Sequence, residues 1–223
     1  MHKLTVENVF YTYTSKYQKV NALNGIDCVF DGGKFYAITG RSGSGKTTLL
    51  ALMAGLDHPV SGRIQFEGKD YRSLNLDTLR RKDISIIFQN YQLFSYLTVE
   101  ENIMYSMELN RVNKKEASKS VAKWLSAVGL EESCRKKYPT ALSGGEQQRV
   151  AIARALASGA KVILADEPTG NLDSENSANI IRIFRNLVQT EGYCVILVTH
   201  DLDIAKQADL TYHILDGKMT YEE

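Results

Sequence analysis

An α/β fold built on a mostly parallel sheet, with an antiparallel β region near the N-terminus and an inserted helical stretch, is what the sequence predicts. Three observations carry the prediction. Short apolar runs alternate with stretches of helical spacing over most of the chain, as strands and crossover helices of a parallel sheet do. The glycine-rich segment Gly40–Thr47 lies between one such run and a helix. Between residues 91 and 158 the alternation stops and only helical patterns remain.

In chain order, Leu4 to Val9 alternates apolar and polar residues, as a half-buried strand does. A polar stretch from Thr12 to Asn21 leads to an apolar run, Ala22 to Phe30, and Asp31-Gly32-Gly33 reads as a turn. His58-Pro59-Val60-Ser61-Gly62 breaks the helix after the glycine-rich segment and leads into a strand from Arg63 to Glu67, ended by Gly68. Leu74 to Lys82 has helical spacing, and Ile84 to Phe88 is a buried strand. The irregular aromatic run Tyr91 to Leu97 follows, and then helices over Val99–Leu109, Lys114–Val128 and from Ser143 to about Ala157. Strands at Lys161–Ala165, Cys194–Val198 and Leu210–Leu215, the last closed by Asp216-Gly217, alternate with helices at Ser174–Thr190 and Asp201–Gln207. Residues 1–90 and 159–223 are expected to form the core of a single domain, and 91–158 a helical subdomain.

Gly40-Arg41-Ser42-Gly43-Ser44-Gly45-Lys46-Thr47 fills every fixed position of G-x-x-x-x-G-K-[ST] in strand–loop–helix context, so a P-loop NTPase core is expected. Glycines let backbone N–H groups wrap phosphates, and the helix N-terminus adds donors and a dipole. Lys46 is expected to reach the β- and γ-phosphates, and the Thr47 hydroxyl to take one position on Mg²⁺.

Two further strand ends carry chemistry. Val162 to Ala165 delivers Asp166 and Glu167 where ligands of open parallel sheets bind. Asp166 suits a Mg²⁺ ligand and Glu167 a general base for the attacking water. His200, after the apolar run Val195 to Val198, is placed to donate to the γ-phosphate. In Leu142-Ser143-Gly144-Gly145-Glu146, Ser143 and Glu146 form a capping box. Capping does not require the two glycines, which cost helix stability but would let a phosphate approach the helix N-terminus.

Composition narrows the function classes. The 223 residues are 43% hydrophobic, and 27 basic against 26 acidic side chains leave a formal charge of +1. No basic stripe marks a nucleic-acid surface, so none is expected as partner. The basic clusters Arg80-Arg81-Lys82 and Arg135-Lys136-Lys137 read as solvated helix ends. Cys28, Cys134 and Cys194 are too few and too scattered for a disulfide framework or metal site; Cys28 and Cys194 read as core residues. No secretory leader is legible, and the apolar runs fall short of the roughly 20 residues that span a bilayer. A cytoplasmic protein reaching the membrane through a partner is expected.

With these motifs in place, nearly the whole chain resembles the ATP-binding-cassette family. Gly40–Thr47 looks like its phosphate loop, Gln89 its Q-loop and Leu142–Glu146 its LSGGQ-type signature, with Glu146 in place of Gln. Val162–Asp166 is similar to its Walker B strand, Glu167 to the catalytic glutamate, Asn171-Leu172-Asp173 to the D-loop and His200 to the switch histidine. The resemblance implies ATP and Mg²⁺ as cofactors, with Thr48 in the phosphate site and Gln89 on Mg²⁺ or the attacking water. It implies an aromatic stacked on adenine at Tyr13, ten residues before Leu23, with Tyr11 and Tyr17 as neighbours. It also implies a second copy of the chain, whose phosphate loop would be capped by Ser143, Gly144 and Gly145. The stretch Leu164 to Asp173 is especially similar to cassettes serving extracytoplasmic-loop permeases, which implies an ATPase subunit driving a separate integral membrane permease. The alternative is a cell-division-type cassette that transmits motion without transport.

Overall fold

A computed structural model describes residues 3–16 and 18–222, the last two for their backbone alone. Two sheets and seven α-helices are built from the described residues. Strands β1 (Leu4–Thr14), β2 (Lys19–Phe30), β4 (Ser61–Phe66) and β5 (Lys69–Asp70) form an antiparallel sheet in the order β2-β1-β4-β5. Residues 12–14 and 19–21, read above as part of a connection, instead extend the first hairpin, Tyr13 pairing with Val20. Its exposed end buries no apolar face, so an apolar pattern does not show it.

The second sheet has the order β10-β9-β3-β8-β7-β6, from β3 (Lys34–Thr39), β6 (Ile84–Phe88), β7 (Val162–Asp166), β8 (Cys194–Val198), β9 (Leu210–Leu215) and β10 (Lys218–Glu222). All its neighbours run parallel except β9 and β10. Asp216-Gly217 therefore turns a hairpin rather than closing the last strand, and the antiparallel edge strand β10 corrects the expectation. Its residues, Lys-Met-Thr-Tyr-Glu, alternate polar with apolar after a two-residue Asp-Gly loop, so the hairpin signal is present in the sequence.

The central parallel strands β3, β7 and β8 are buried on both faces, and their residues sort between two cores by the period of two. Phe35, Ile163, Ala165, Val195 and Leu197 face one side, together with helix α6 (Ser174–Glu191). Tyr36, Ile38, Val162, Leu164 and Ile196 face the other, with α1 (Lys46–Met53), α2 (Leu76–Lys82) and the antiparallel sheet. Helices α3 (Val99–Leu109), α4 (Lys114–Ala127) and α5 (Gly144–Ala157) join the first core through Val99, Ile103, Val121, Leu125 and Val150, and α7 (Leu202–Ala205) joins it through Ile204. The capping boxes at Thr98/Glu101 and Ser143/Glu146 are both formed.

All three cysteines are free and buried. Arg80, Arg81 and Lys82 form the last turn of α2. In the second basic cluster Lys136 and Lys137 are exposed as expected, but Arg135 is largely covered, and Arg135 and Lys136 both bind the carboxylate of Glu100 at 2.6 Å. No helix among the described residues is long and apolar enough to cross a membrane.

Candidate active site

Strand register builds the site. Ile38, Val198, Asp166 and Phe88 lie in line across β3, β8, β7 and β6. The residues that follow each strand therefore leave the sheet at one level: the phosphate loop after β3, Thr199 and His200 after β8, Glu167 after β7 and Gln89 after β6. That edge opens into a cleft of about 910 Å³ lined by Tyr13, Lys46, Thr47, Gln89, Asp166, Glu167 and His200. Ser42, Gly43, Gly45 and Thr48 complete its phosphate-loop wall.

Within the loop, Gly45 stands at φ +109 with its α-carbon so close to the Ala22 carbonyl that a side chain would collide with it. The Lys46 ammonium, on a side chain that is nearly buried, donates to the carbonyls of Gly40 at 2.8 Å and Arg41 at 2.9 Å. Gly40, Arg41 and Ser44 do not themselves line the cleft. The first two orient the lysine, and the Ser44 hydroxyl is buried without a hydrogen-bond partner.

Thr47 and Asp166 come from different elements and meet at 3.4 Å, the hydroxyl donating to the carboxylate. Burial pushes the Asp166 carboxyl up, the Thr47 hydrogen bond draws it down, and the nearby Glu167 charge raises it again. A half-buried carboxylate beside another, next to a hydroxyl, has the hard-oxygen chemistry that Mg²⁺ takes, so these residues fit that ion. Glu167 adopts φ +47, a left-handed conformation uncommon for a residue with a side chain, and its N–H is tied to the Val198 carbonyl at 2.9 Å. Its carboxylate meets His200 Nδ1 at 2.6 Å. Gln89 lies against the next loop, donating to Asn171 Oδ1 at 3.4 Å, while Asn171 donates back to the Gln89 carbonyl at 3.2 Å.

The aromatic candidates separate. Tyr13 is half exposed, lines the cleft and shares a hydrogen bond of 3.1 Å with Thr48. Tyr11 packs edge-on against Tyr13 and donates to Asp57 at 2.5 Å, a bond that pushes its phenol up to about 12. Tyr17 lies outside the described residues. Val20, Asn21, Ala22, Asp216 and Gly217 also line the cleft and were missed in the sequence. Val20, Asn21 and Ala22 come from β2 and Asp216-Gly217 from the turn before β10, and only the packing of β2 against the phosphate loop and the pairing of β9 with β10 bring them to the cleft.

Ser143, Gly144 and Gly145 stand apart from this cleft. Gly145 is buried, and a Cβ there would collide with the Asn176 side chain on α6. A Cβ on Gly144 would lie 2.8 Å from the Tyr91 hydroxyl. The glycines thus have a packing reason within this chain, which the sequence expectation of room for a phosphate did not include. Ser143 is exposed and caps α5.

Residues 23–170 match the ABC transporter family. The chain is 40% identical over its whole length to the uncharacterized ABC transporter ATP-binding protein YclH of Bacillus subtilis (strain 168), covering 98% of it. It is likewise 40% identical to the lipoprotein-releasing system ATP-binding protein LolD of Syntrophotalea carbinolica, over 97% of this chain and 96% of LolD. The dimeric structure of the bacterial ABC transporter cassette MJ0796 superposes with a TM-score of 0.91 at 34% identity, covering 99% of this chain and 97% of that one. The same cassette in a post-hydrolysis state, bound to ADP and Pi, matches equally well.

Proposed function

We propose, from the premise that this chain belongs to the ABC transporter family and is one of its ATPases, that it powers a separate integral membrane permease of the extracytoplasmic-loop type. Two copies would close around two ATP, each bound with Mg²⁺, on the cytoplasmic face of the membrane. The observation that carries this reading is the division of the motifs. Lys46, Thr47, Gln89, Asp166, Glu167 and His200 converge on one cleft, whereas Ser143–Gly145 lie outside it with Ser143 exposed. A second copy is what would bring a signature helix to the nucleotide. Residues 91–158, which carry that helix, are then the subdomain that moves it.

Each residue has a task that its surroundings support. Lys46 would exchange two neutral carbonyls for phosphate oxygens, gaining charge-assisted bonds. Thr47, Asp166 and Gln89 would supply oxygen donors for Mg²⁺, which would neutralise charge on the phosphates. Glu167 takes the proton of the attacking water, and His200, 2.6 Å away, holds that carboxylate and can turn its imidazole toward the γ-phosphate.

The permease surface follows from the run after Gln89. Phe94 and Tyr105 pack at 4.7 Å and line a groove of about 300 Å³ with Leu109, Arg81 and Arg154. Tyr96 beside it is 95% exposed. A short helix from the permease fits such an aromatic groove with a basic rim. Purification of the chain from native membranes with its partner, and sequencing of that partner, tests the proposal; a partner without membrane spans would overturn it.

A further inference from the structure

The first turn of α3 holds two loops at once. Asn102, fully buried, accepts the Phe94 N–H at 2.9 Å and donates to the carbonyls of Phe94, Leu97 and Thr98 at 3.0 to 3.1 Å. It thereby fixes the aromatic segment that follows Gln89. Glu100, 6% exposed on the same turn, fixes a different segment, the one leading to the signature. Its carboxylate accepts from Arg135 Nη2 at 2.6 Å, Lys136 Nζ at 2.6 Å and the Ser118 hydroxyl at 2.7 Å. The backbone is tied there as well: Val99 N–H to the Lys137 carbonyl at 2.9 Å, and Glu100 N–H to that of Arg135 at 3.0 Å.

Little slack remains between this anchor and the signature. Tyr138 leads into a single 3₁₀ turn over Pro139–Ala141, closed by the Leu142 N–H on the Pro139 carbonyl at 3.1 Å. Leu142 is buried, and the next residue is Ser143. Glu100 is not needed to start its own helix, because Thr98 and Glu101 form that cap. Nor is a buried carboxylate with cationic partners a strong source of net stability, since desolvation offsets most of the attraction. What such a cluster supplies is a fixed geometry.

We propose that Glu100 is a positioning residue for ATP hydrolysis, setting through Arg135 and Lys136 where Ser143–Gly145 stand when they meet the nucleotide of a second copy. This rests on the reading that the signature acts on the other copy's phosphate loop. Its consequence is directional: a change at Glu100 damages the site of the partner copy and spares the chain's own.

The test uses full-length chains carrying Glu167→Gln, with ATP-dependent pairing of tagged and untagged copies as readout. Glu100→Ala, and the milder Glu100→Gln in case the first fails to fold, should bind ATP as isolated chains with wild-type affinity. Pairing with themselves, where both sites are damaged, should weaken about a hundredfold, about tenfold for each site. A Glu100 variant should pair with Lys46→Ala as tightly as the chain with Glu100 intact does, because its own signature then faces only the phosphate loop that holds no ATP. It should pair with Ser143→Arg about tenfold more weakly than the chain with Glu100 intact does, because its signature then faces the one site that can still form. The reverse pattern, or wild-type pairing of both variants with themselves, would overturn the proposal. So would loss of ATP binding in both variants, which would make Glu100 a folding residue only. If Lys46→Ala and Ser143→Arg themselves fail to pair, the trans reading falls first and this one with it; if they pair, only the Glu100 mixtures decide.

Discussion

Glu167 Oε2 and His200 Nδ1 stand 2.6 Å apart at the ends of adjacent parallel strands, although 33 positions separate them in the chain. Glu167 holds this place on a left-handed backbone, at φ +47. Replacing it with Gln keeps the shape and removes the base. Glu167→Gln should bind ATP normally and hydrolyse it about 10²- to 10⁴-fold more slowly. ATP should then double the mass seen by gel filtration; wild-type turnover would take Glu167 out of the role.

Lys46→Ala should abolish ATP binding, because the triphosphate loses the cation that the Gly40 and Arg41 carbonyls present to it. Ser143→Arg should leave ATP binding by one chain intact and block pairing. Neither alone should hydrolyse ATP, whereas an equal mixture should recover part of the wild-type rate. A mixture as inactive as its components would count against signature action across the dimer.

Tyr13→Ala should weaken ATP binding by about tenfold, the scale of one lost base–aromatic stack. Tyr11→Phe should leave it nearly unchanged, since that hydroxyl serves Asp57. Equilibrium titration with a fluorescent ATP analogue measures both. Equal losses would mean that the pair, packed at 4.9 Å, acts as one platform.

Phe94→Ala and Tyr96→Ala should reduce recovery of the permease without changing ATP affinity. Tyr91→Ala should behave differently, because the Tyr91 hydroxyl that it removes lies beside Gly144 of the signature. Its expected defect is in ATP-dependent pairing. Recovery of the permease at wild-type yield with Phe94→Ala and Tyr96→Ala together would remove the groove from the docking role.

The Arg135 hydrogen bond, opposed by burial and aided by Lys136 and Ser118, holds the Glu100 carboxyl at about 2. A carboxyl depressed in the folded state stabilises it above the unfolded value near 4.5 and loses that contribution as pH falls toward 2. The gap in melting temperature between wild type and Glu100→Gln should therefore be full at pH 6 and shrink steadily from pH 4.5 downward. A gap independent of pH over that window would show that the charge on Glu100 contributes nothing to stability.

The sequence by itself determined the chemistry and the class of fold. The Gly40–Thr47 pattern, the carboxylates after an apolar strand and the alternation of strands with helices are local signals, each complete within a few residues. It also determined both capping boxes, whose partners lie one helical turn apart. Tertiary structure decided what depends on residues far apart in the chain. Only strand order and register set Thr47 against Asp166 and Glu167 beside His200. The exposed end of the first hairpin carries little apolar alternation, and the Asp-Gly loop before β10 announces a turn but not where it packs, yet both supply a wall of the cleft. Arg135 and Lys136 read as a solvated basic run because their acidic partner, Glu100, lies 35 and 36 positions away. Charge pairing over that distance leaves no periodic trace; the packing of α3, α4 and the segment before α5 creates it.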